Sequence, residues 1–108
     1  MFGQITDTYT VYISSKGEVL KHDANGDLHC SDGPAKIDLG GSKTWYRHGV
    51  IHRIDGPAIE YAHGSKVWYV DGKTHREDGP AITTTTGKEY WYLDNIQITY
   101  QEFLKRTL

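Results

Sequence analysis

The sequence predicts a mainly β protein, a single-layer antiparallel meander of 23-residue hairpin repeats with a short C-terminal α-helix as a cap. Three observations predict this fold: a tetrapeptide and a dipeptide each recur at one fixed spacing, and turn-forming glycines recur with them. Repetition with a period of this length is typical of proteins in which each unit packs on its neighbours. Asp-Gly-Pro-Ala occupies 32–35, 55–58 and 78–81, and Trp-Tyr occupies 45–46, 68–69 and 91–92.

The composition fits a thin sheet. Eight Tyr and three Trp supply much of the 37% apolar content, and twelve Gly interrupt the chain. Such a sequence lacks the aliphatic residues for a thick two-layer core and favours a sheet whose aromatic side chains cover its surface. A length of 108 residues corresponds to a single small domain.

Each period is predicted to contain two strands and two turns. Asp71-Gly72 lies between two short β-prone runs, and Asp-Gly favours a two-residue type I′ turn because both central residues need positive φ. A second reversal is predicted at a glycine later in the period. The predicted hairpin turns are Asn25-Gly26, His48-Gly49, Asp71-Gly72 and Asp94-Asn95, and the second reversals lie near Gly41, Gly64 and Gly87.

The predicted turns determine which residues share a face of the sheet. With Asp71-Gly72 as the turn, Trp68 faces His75 across the hairpin, and Tyr69 points to the opposite face. The repeat therefore predicts two aromatic ladders on opposite faces. The Trp ladder is Trp45, Trp68 and Trp91, and the Tyr ladder is Tyr46, Tyr69 and Tyr92.

The N-terminal residues 1–25 are predicted to form a degenerate unit that caps the array. Apolar and polar residues alternate in 8–14, which predicts a strand, and Gly17 predicts the turn that follows it. His22-Asp23 stand where Trp-Tyr stands in the other units. Three complete hairpin units are predicted within 26–98.

The C-terminal residues 99–108 are predicted to form a helix that folds back over the last repeat. Thr99 and Glu102 have the spacing of a capping box, in which each side chain satisfies a free backbone amide of the first turn. The apolar face predicted for this helix consists of Tyr100, Phe103, Leu104 and Leu108.

Charge, hydropathy and cysteine content limit the classes of function. A net charge of −2 and a pI near 6.3 argue against binding of long nucleic acids, which requires a basic face. No apolar run is long enough to span a membrane, and the first twenty residues lack the basic and apolar regions of a secretory signal. Because Cys30 is the single cysteine, the expected location is the reducing cytoplasm.

One string in the repeat resembles the MORN repeat. Trp68, Gly72, Lys73 and His75 spell Trp-x-x-x-Gly-Lys-x-His, and the resemblance covers 26–98. The chain departs from that family after the histidine, where Arg-x-Asp-Gly-Pro-Ala replaces Gly-x-Gly, and Trp-Tyr replaces Tyr-x-Gly-x-Trp. It is similar to short MORN-variant proteins of bacteria and phages, some of them labelled antitoxin-like. The resemblance implies a β-meander with a binding or scaffolding role and without catalytic residues.

The repeated string His-Arg-x-Asp-Gly-Pro-Ala brings together an acid, a base and a cation, as an active site does. Two strands per unit place equivalent residues about 10 Å apart. This spacing is too large for His52 and His75 to share a metal, or for Asp55 and Asp78 to act as a catalytic pair. No catalytic residue, metal or cofactor is therefore predicted. The histidines are interpreted as rings packed on the neighbouring Trp, and the aspartates as acceptors of backbone amides at a bend.

The arginines leave two interpretations open. Arg53 and Arg76 share one repeat position, which Cys30 takes in the first unit, and Asp55 and Asp78 lie two residues further on. Each pair can be a surface ion pair that adds about 0–1 kcal/mol to stability. Alternatively, the arginines can anchor a partner, since Arg, Trp and Tyr are frequent among interface hot spots.

The function predicted from the sequence is a non-enzymatic protein-binding module, with another protein or a second copy as partner, in the role of a bacterial or phage inhibitor, antitoxin-like or host-takeover protein. The first alternative is a binder of a small nucleotide or single-stranded RNA that uses stacked aromatics. A hydrolase based on His-Arg-x-Asp is the less favoured alternative. The candidate interaction surface is Trp45, Tyr46, Arg53, Trp68, Tyr69, Arg76, Trp91 and Tyr92.

Overall fold

The computed structural model describes residues 8–107, with the backbone alone at Thr107; residues 1–7 of the predicted N-terminal cap and Leu108 of the predicted helix lie outside this range. Within it the chain is mainly β, as predicted. The elements are β1 (Thr10–Ile13), β2 (Val19–His22), β3 (Lys36–Ile37), β4 (Lys43–Thr44), β5 (Tyr46–Arg47), β6 (Val50–Ile51), β7 (Ile59–Glu60), β8 (Lys66–Val67), β9 (Tyr69–Val70), β10 (Lys73–Thr74), β11 (Ile82–Thr83), β12 (Glu89–Leu93), β13 (Ile96–Ile98) and α1 (Tyr100–Thr107).

The strands form one long antiparallel meander with two hairpins that project from it. The main sheet has nine strands in the order β1-β2-β3-β4-β7-β8-β11-β12-β13, and β5-β6 and β9-β10 are separate two-stranded hairpins. The Cα radius of gyration is 15.9 Å, above the value of about 13 Å typical of a compact chain of 100 residues. The protein is therefore an extended plate.

Trp45 and Trp68 mark the points at which the chain leaves the main sheet for a separate hairpin, whereas Trp91 lies within β12. The backbone N–H of Trp45 donates to Ala58 O at 2.8 Å, and its carbonyl accepts from His52 N at 3.1 Å. Trp68 repeats both bonds with Ala81 and His75. These bonds confirm the predicted Trp–His pairing across the hairpin.

Three of the four predicted type I′ turns are confirmed by positive φ at both central residues. The values are 47° and 86° at His48-Gly49, 50° and 79° at Asp71-Gly72, and 48° and 70° at Asp94-Asn95. Gly adopts positive φ freely, and Asn, Asp and His are the non-glycine residues that adopt it most often. The strand register that these turns set is also as predicted, with Tyr69 opposite Thr74.

The prediction for the first turn was wrong by one residue. Of Asn25-Gly26 only Gly26 has positive φ, and the N–H of Asp23 donates to Asp27 O at 2.8 Å, which closes a three-residue loop. The extra residue shifts the strand before it, so that Lys21 takes the position of Trp. Its N–H donates to Ala35 O, and its carbonyl accepts from His29 N, both at 2.8 Å.

The second reversals lie where they were predicted and share the geometry of that first turn. At each of them the glycine N–H donates to a carbonyl three residues earlier at 2.9–3.0 Å, and its φ lies between 88° and 107°. A positive φ in a three-residue loop is typical of glycine. The glycines of the second reversals are Gly41, Gly64 and Gly87, and Gly17, predicted as the turn of the N-terminal unit, has the same geometry.

The core of the plate is a row of small residues. Ala35, Ala58 and Ala81 are fully buried, one at the end of each Asp-Gly-Pro-Ala string. Each alanine is bonded on both sides within the sheet: Ala58 N–H donates to Val67 O at 2.9 Å, while Ala58 O accepts from Trp45 N. A larger side chain at these positions would have to push neighbouring units apart.

The C-terminal helix caps the last repeat as predicted. Thr99 N–H donates to Glu102 Oε1 at 2.9 Å, and Glu102 N–H donates to Thr99 Oγ1 at 3.1 Å, which completes the capping box. Hydrogen bonds to its carboxylate from the backbone and the side chain of Thr99 lower the pKa of Glu102. The Trp91 ring packs on Tyr100 and Phe103, with centroids 5.0 and 6.1 Å apart. Among the described residues, no helix is long enough and apolar enough to span a membrane.

Candidate functional site

The Asp-Gly-Pro strings form three loops that leave the sheet on one side. They are named here the first loop (residues 30–34), the second loop (53–57) and the third loop (76–80). In the third loop, Arg76 Nε donates to Asp78 Oδ1 at 2.9 Å and Nη1 donates to Pro80 O at 3.1 Å. The loop is therefore wound around its own arginine.

The second loop repeats this arrangement. Arg53 Nε donates to Asp55 Oδ1 and Nη1 donates to Pro57 O, both at 3.1 Å. Its Nη1 also donates to Glu60 Oε2 at 3.1 Å. The predicted pairing of each arginine with the aspartate two residues on is present in both loops. The aspartates, however, accept from the guanidinium, so their interpretation as backbone-amide acceptors was wrong.

The arginines also cover the tryptophans of their own hairpins. Arg53 Cζ lies 3.9 Å from the Trp45 ring centroid, and Arg76 Cζ lies 3.9 Å from that of Trp68. A guanidinium at this distance from an indole face makes a favourable cation–π contact. One face of each ring, which a stacked nucleobase would need, is therefore already in contact with a side chain of the same unit.

Glycine in the second and third loops allows the backbone to approach the guanidinium. A Cβ at Gly56 would lie 2.7 Å from Arg53 Cζ, and one at Gly79 would lie 2.8 Å from Arg76 Cζ. Neither glycine has positive φ. Their role is therefore to leave space, and any side chain there competes with the arginine for it.

The first loop obtains its cation from a different strand. Cys30 takes the arginine position and is buried, and its Sγ lies 3.0 Å from Asp32 Oδ1. Lys21, at the tryptophan position, brings Nζ to 3.8 Å from Cys30 Sγ. Burial, reinforced by the hydrogen bond to Asp32, raises the pKa of the Cys30 thiol, so it remains a neutral thiol at neutral pH.

The repeated histidines connect consecutive hairpins. His52 Nδ1 accepts from the backbone N–H of Asp71 at 2.9 Å, and His75 Nδ1 accepts from that of Asp94 at 3.1 Å. The donors are the first residues of the next hairpin turn. The predicted packing of these rings on Trp was wrong, because the guanidinium takes that place and the imidazole points along the array.

The first histidine makes the same connection in a more enclosed setting. His29 is fully buried, its Nδ1 accepts from His48 N–H at 3.0 Å, and its ring stacks on that of His48 at 3.9 Å. His48 Nδ1 in turn donates to Asp23 Oδ2 at 2.6 Å. This bond, helped by backbone amides of the turn, lowers the pKa of Asp23 despite the burial of its carboxylate.

The three loops and α1 bound a continuous row of three clefts. The first cleft, of about 540 Å³, lies between the first and second loops, and the second cleft, of about 520 Å³, lies between the second and third loops. The third, of about 360 Å³, lies between the third loop and α1. Ile54 and Asp55 line the first two clefts, and His75 and Glu77 line the last two, so neighbouring clefts share a wall.

The predicted interaction residues are divided by this geometry. The eight residues do not form one open face: Trp45, Tyr46 and Arg53 line the first cleft, and Trp68 and Arg76 line the second. The other three lie outside the lining of these clefts, and all six ladder aromatics are half-buried. The three outside residues are Tyr69, Trp91 and Tyr92.

Two residues of the clefts were missed from the sequence. Ile54 exposes 68% of its surface, and the Glu77 side chain exposes 81%. Both occupy the variable position of His-Arg-x-Asp-Gly-Pro-Ala, which is Ser31 in the first loop. The signal was available, because this position differs in all three units while the histidine two residues before it and the Asp-Gly-Pro-Ala after it are repeated.

The charged side chains of the site are mostly paired with one another. Among residues 8–107, no group of three or more His, Cys, Asp or Glu side chains is arranged to hold a metal ion. The arginines and histidines of the string are engaged within the fold. Comparison with family models, with curated proteins and with solved structures finds no match for this chain.

Proposed function

We propose that this protein is a non-enzymatic protein-binding module that contacts its partner through the row of clefts. One observation carries the proposal: Ile54 exposes 68% of its surface on the wall between two clefts. Single exposed apolar residues are common on protein surfaces. A branched apolar side chain raised between two concave surfaces, however, is suited to burial at the centre of an interface.

The state of the polar groups supports binding rather than turnover. A general base needs a free acceptor, and the Nδ1 atoms of His52 and His75 already accept backbone N–H groups. The carboxylates of Asp55 and Asp78 are paired with arginine and are 86% and 82% exposed. Such groups lack the shielding from water that an enclosed active site provides.

The proposal extends to the setting of the protein. The resemblance of Trp-x-x-x-Gly-Lys-x-His to MORN repeats supports a scaffold of hairpins that presents a surface, and a chain whose one cysteine is Cys30 is suited to the cytoplasm. A role as a bacterial or phage inhibitor, antitoxin-like or host-takeover protein belongs to the same proposal by analogy of fold.

The test compares two exposed isoleucines. Ile54 in the clefts and Ile96 on β13 expose 68% and 67% of their surface, so Ile54→Asp and Ile96→Asp are matched variants. Tagged wild type and both variants are used to capture proteins from lysate, and the captured proteins are identified by mass spectrometry. We expect one partner with wild type and Ile96→Asp and its loss with Ile54→Asp, at unchanged melting temperature. Equal capture by both variants, or no partner at all, would refute the proposal.

A further inference from the structure

The second cleft combines an apolar lining with an excess of negative charge. Its apolar residues are Ile54, Trp68 and Val70, and its charged residues are three carboxylates and one guanidinium. The formal charges of the described residues that line this cleft therefore sum to −2 when histidine is counted as neutral. The carboxylates are Asp55, Glu77 and Asp78, and the guanidinium is that of Arg76.

We propose that this cleft binds the side chain of a lysine or arginine that a partner protein presents on an extended segment. The inference rests on the proposed function and specifies the chemistry of the partner. A long cationic side chain has an apolar stem and a charged end. The stem can lie against Ile54 and Trp68 while the charged end reaches the carboxylates at the rim.

Glu77 is the carboxylate best placed to receive that charge. Asp55 and Asp78 already pair with Arg53 and Arg76 at 3.1 and 2.9 Å. Glu77 contacts His75 Nε2 at 3.1 Å, a group that carries charge only when protonated, and its side chain is 81% exposed. Its negative charge is therefore the least compensated in the cleft, and an incoming ammonium or guanidinium group would lower its electrostatic energy.

The same charges disfavour other occupants. A phosphate or a nucleic-acid backbone would approach three carboxylates and one cation whose Nε and Nη1 already donate within the loop. A neutral apolar peptide would bury the rim carboxylates without a partner, which carries a large desolvation cost. The volume of about 520 Å³ lies within the range of about 300–1,000 Å³ typical of ligand sites.

The distance between neighbouring clefts indicates how far apart the cations of the bound segment should be. The third cleft also has more acid than base, with Glu77 and Asp94 against Arg106, while the first has Asp32 and Asp55 against two arginines. Successive units are separated by two strands, or about 10 Å. A polyproline II segment advances about 9 Å in three residues and presents every third side chain on one face. The second and third clefts, which both have more acid than base, therefore fit a segment that carries two cations three residues apart.

The inference is tested by fluorescence polarisation with a labelled synthetic peptide that repeats Lys-Pro-Pro. We expect saturable binding that weakens as NaCl is raised, because exposed charges are screened by salt. Glu77→Gln should bind about fivefold more weakly, which corresponds to the loss of one rim ion pair of about 1 kcal/mol. The matched control is Glu89→Gln, which removes an exposed carboxylate of β12 outside the clefts and should bind as wild type does.

Two further peptides separate charge from spacing. Replacing Lys by Gln should abolish binding, and a peptide of the same composition with its lysines adjacent should bind more weakly than the spaced one. Equal affinity of the Gln peptide, or of wild type and Glu77→Gln, overturns the inference. If no peptide binds while an Ile54-dependent partner is still captured, this inference fails and the proposed function stands. If capture does not depend on Ile54, the proposed function itself fails.

Discussion

The first loop and the two loops that follow it reach the same backbone shape with different side chains. In the second and third loops the cation comes from within the loop, as Arg53 or Arg76, and lies on a tryptophan. In the first loop the cation is Lys21, which stands at the tryptophan position and reaches across to the thiol at the arginine position. In the first loop the cation therefore stands at the position that tryptophan has in the other units, and its contact partner stands at the position of the arginine.

This exchange shows what each loop requires. All three loops place an aspartate beside a donor: Asp55 and Asp78 accept from Arg Nε, and Asp32 lies 3.0 Å from Cys30 Sγ with the Lys21 ammonium nearby. The element common to the three loops is therefore a positive charge next to the loop, together with a side chain that fills the remaining space. The tryptophan–arginine pair and the lysine–cysteine pair are two solutions to this requirement.

The largest expected effect comes from giving the second loop the lysine–cysteine pair of the first loop in place of its tryptophan–arginine pair. Trp45→Lys alone removes a half-buried indole and places a second cation beside Arg53, and should destabilise the protein by about 3–5 kcal/mol. Adding Arg53→Cys removes the repulsion and restores the pair found at the first loop. We expect the double variant to be more stable than the sum of the single changes by about 1–3 kcal/mol.

The measurement is a double-mutant cycle from chemical denaturation, with the m-value as a check that all four proteins unfold in the same way. A matched cycle with Trp91→Lys and Arg53→Cys serves as the control, because Trp91 is covered by Tyr100 and Phe103 and not by Arg53. If the two cycles give the same coupling free energy, the equivalence of the two pairs is wrong.

A smaller effect is expected at the glycines of the same loops. At Gly79 a methyl group would lie 2.8 Å from Arg76 Cζ, whereas at Gly33 its nearest neighbour would be Lys21 Nζ at 3.9 Å. Gly79→Ala should displace the guanidinium, leave the Pro80 carbonyl without its donor and cost about 1–3 kcal/mol. Gly33→Ala should change the free energy of unfolding by less than about 0.5 kcal/mol.

Thermal unfolding of the two alanine variants, followed by circular dichroism, gives this comparison directly. Both substitutions replace glycine by alanine and lower the entropy of the unfolded chain to a similar degree, and neither introduces strain at a positive φ. The difference between them therefore reports on the contact with the side chain nearby. Equal melting temperatures would mean that the arginine leaves its loop without loss of stability.

The repeat made much of this fold predictable. Asp71-Gly72 fixed a turn, the turn fixed the register, and Thr99 with Glu102 fixed the start of the helix, since each of these rests on local backbone chemistry that a few residues specify. The first turn was predicted wrongly because one further local side chain, that of Asp23, also determines the backbone there. Asn25-Gly26 has the residues of a two-residue turn, but Asp23 accepts the N–H groups of Asn25 and Asp27 and closes a longer loop.

The side-chain contacts of the site were less predictable. Strand alternation places His75 beside Trp68 correctly, but it does not say which of His75 and Arg76 covers the indole. That outcome depends on Asp78-Gly79-Pro80, which bends far enough to hold the guanidinium from outside the strand. Such a contact combines two separate segments, the strand position of Trp68 and the third loop, and the spacing of residues within one segment carries no signal for it.

The smallest expected effect distinguishes the first hairpin from the later ones by pH. Asp23 accepts from His48 and from backbone amides, and these bonds lower its pKa below the ordinary value of 3.8. A group with a lowered pKa in the folded state contributes its full stabilisation above the unfolded value, and the contribution is lost as pH falls through the folded value. The stability difference between wild type and Asp23→Asn should therefore be constant near neutral pH and shrink below about 3.8.

The control for this effect is His48→Gln, which removes the largest cause of the lowered pKa and leaves the amides of the turn in place. In that background the Asp23→Asn difference should be smaller at neutral pH and should vary less on acidification. Urea unfolding between neutral pH and about pH 3 measures both differences. A stability difference that grows as pH falls would mean that the pKa of Asp23 is raised in the folded state. Protonation of Asp23 would then strengthen its contact with His48 instead of weakening it. That outcome would contradict a hydrogen bond in which the Asp23 carboxylate is the acceptor.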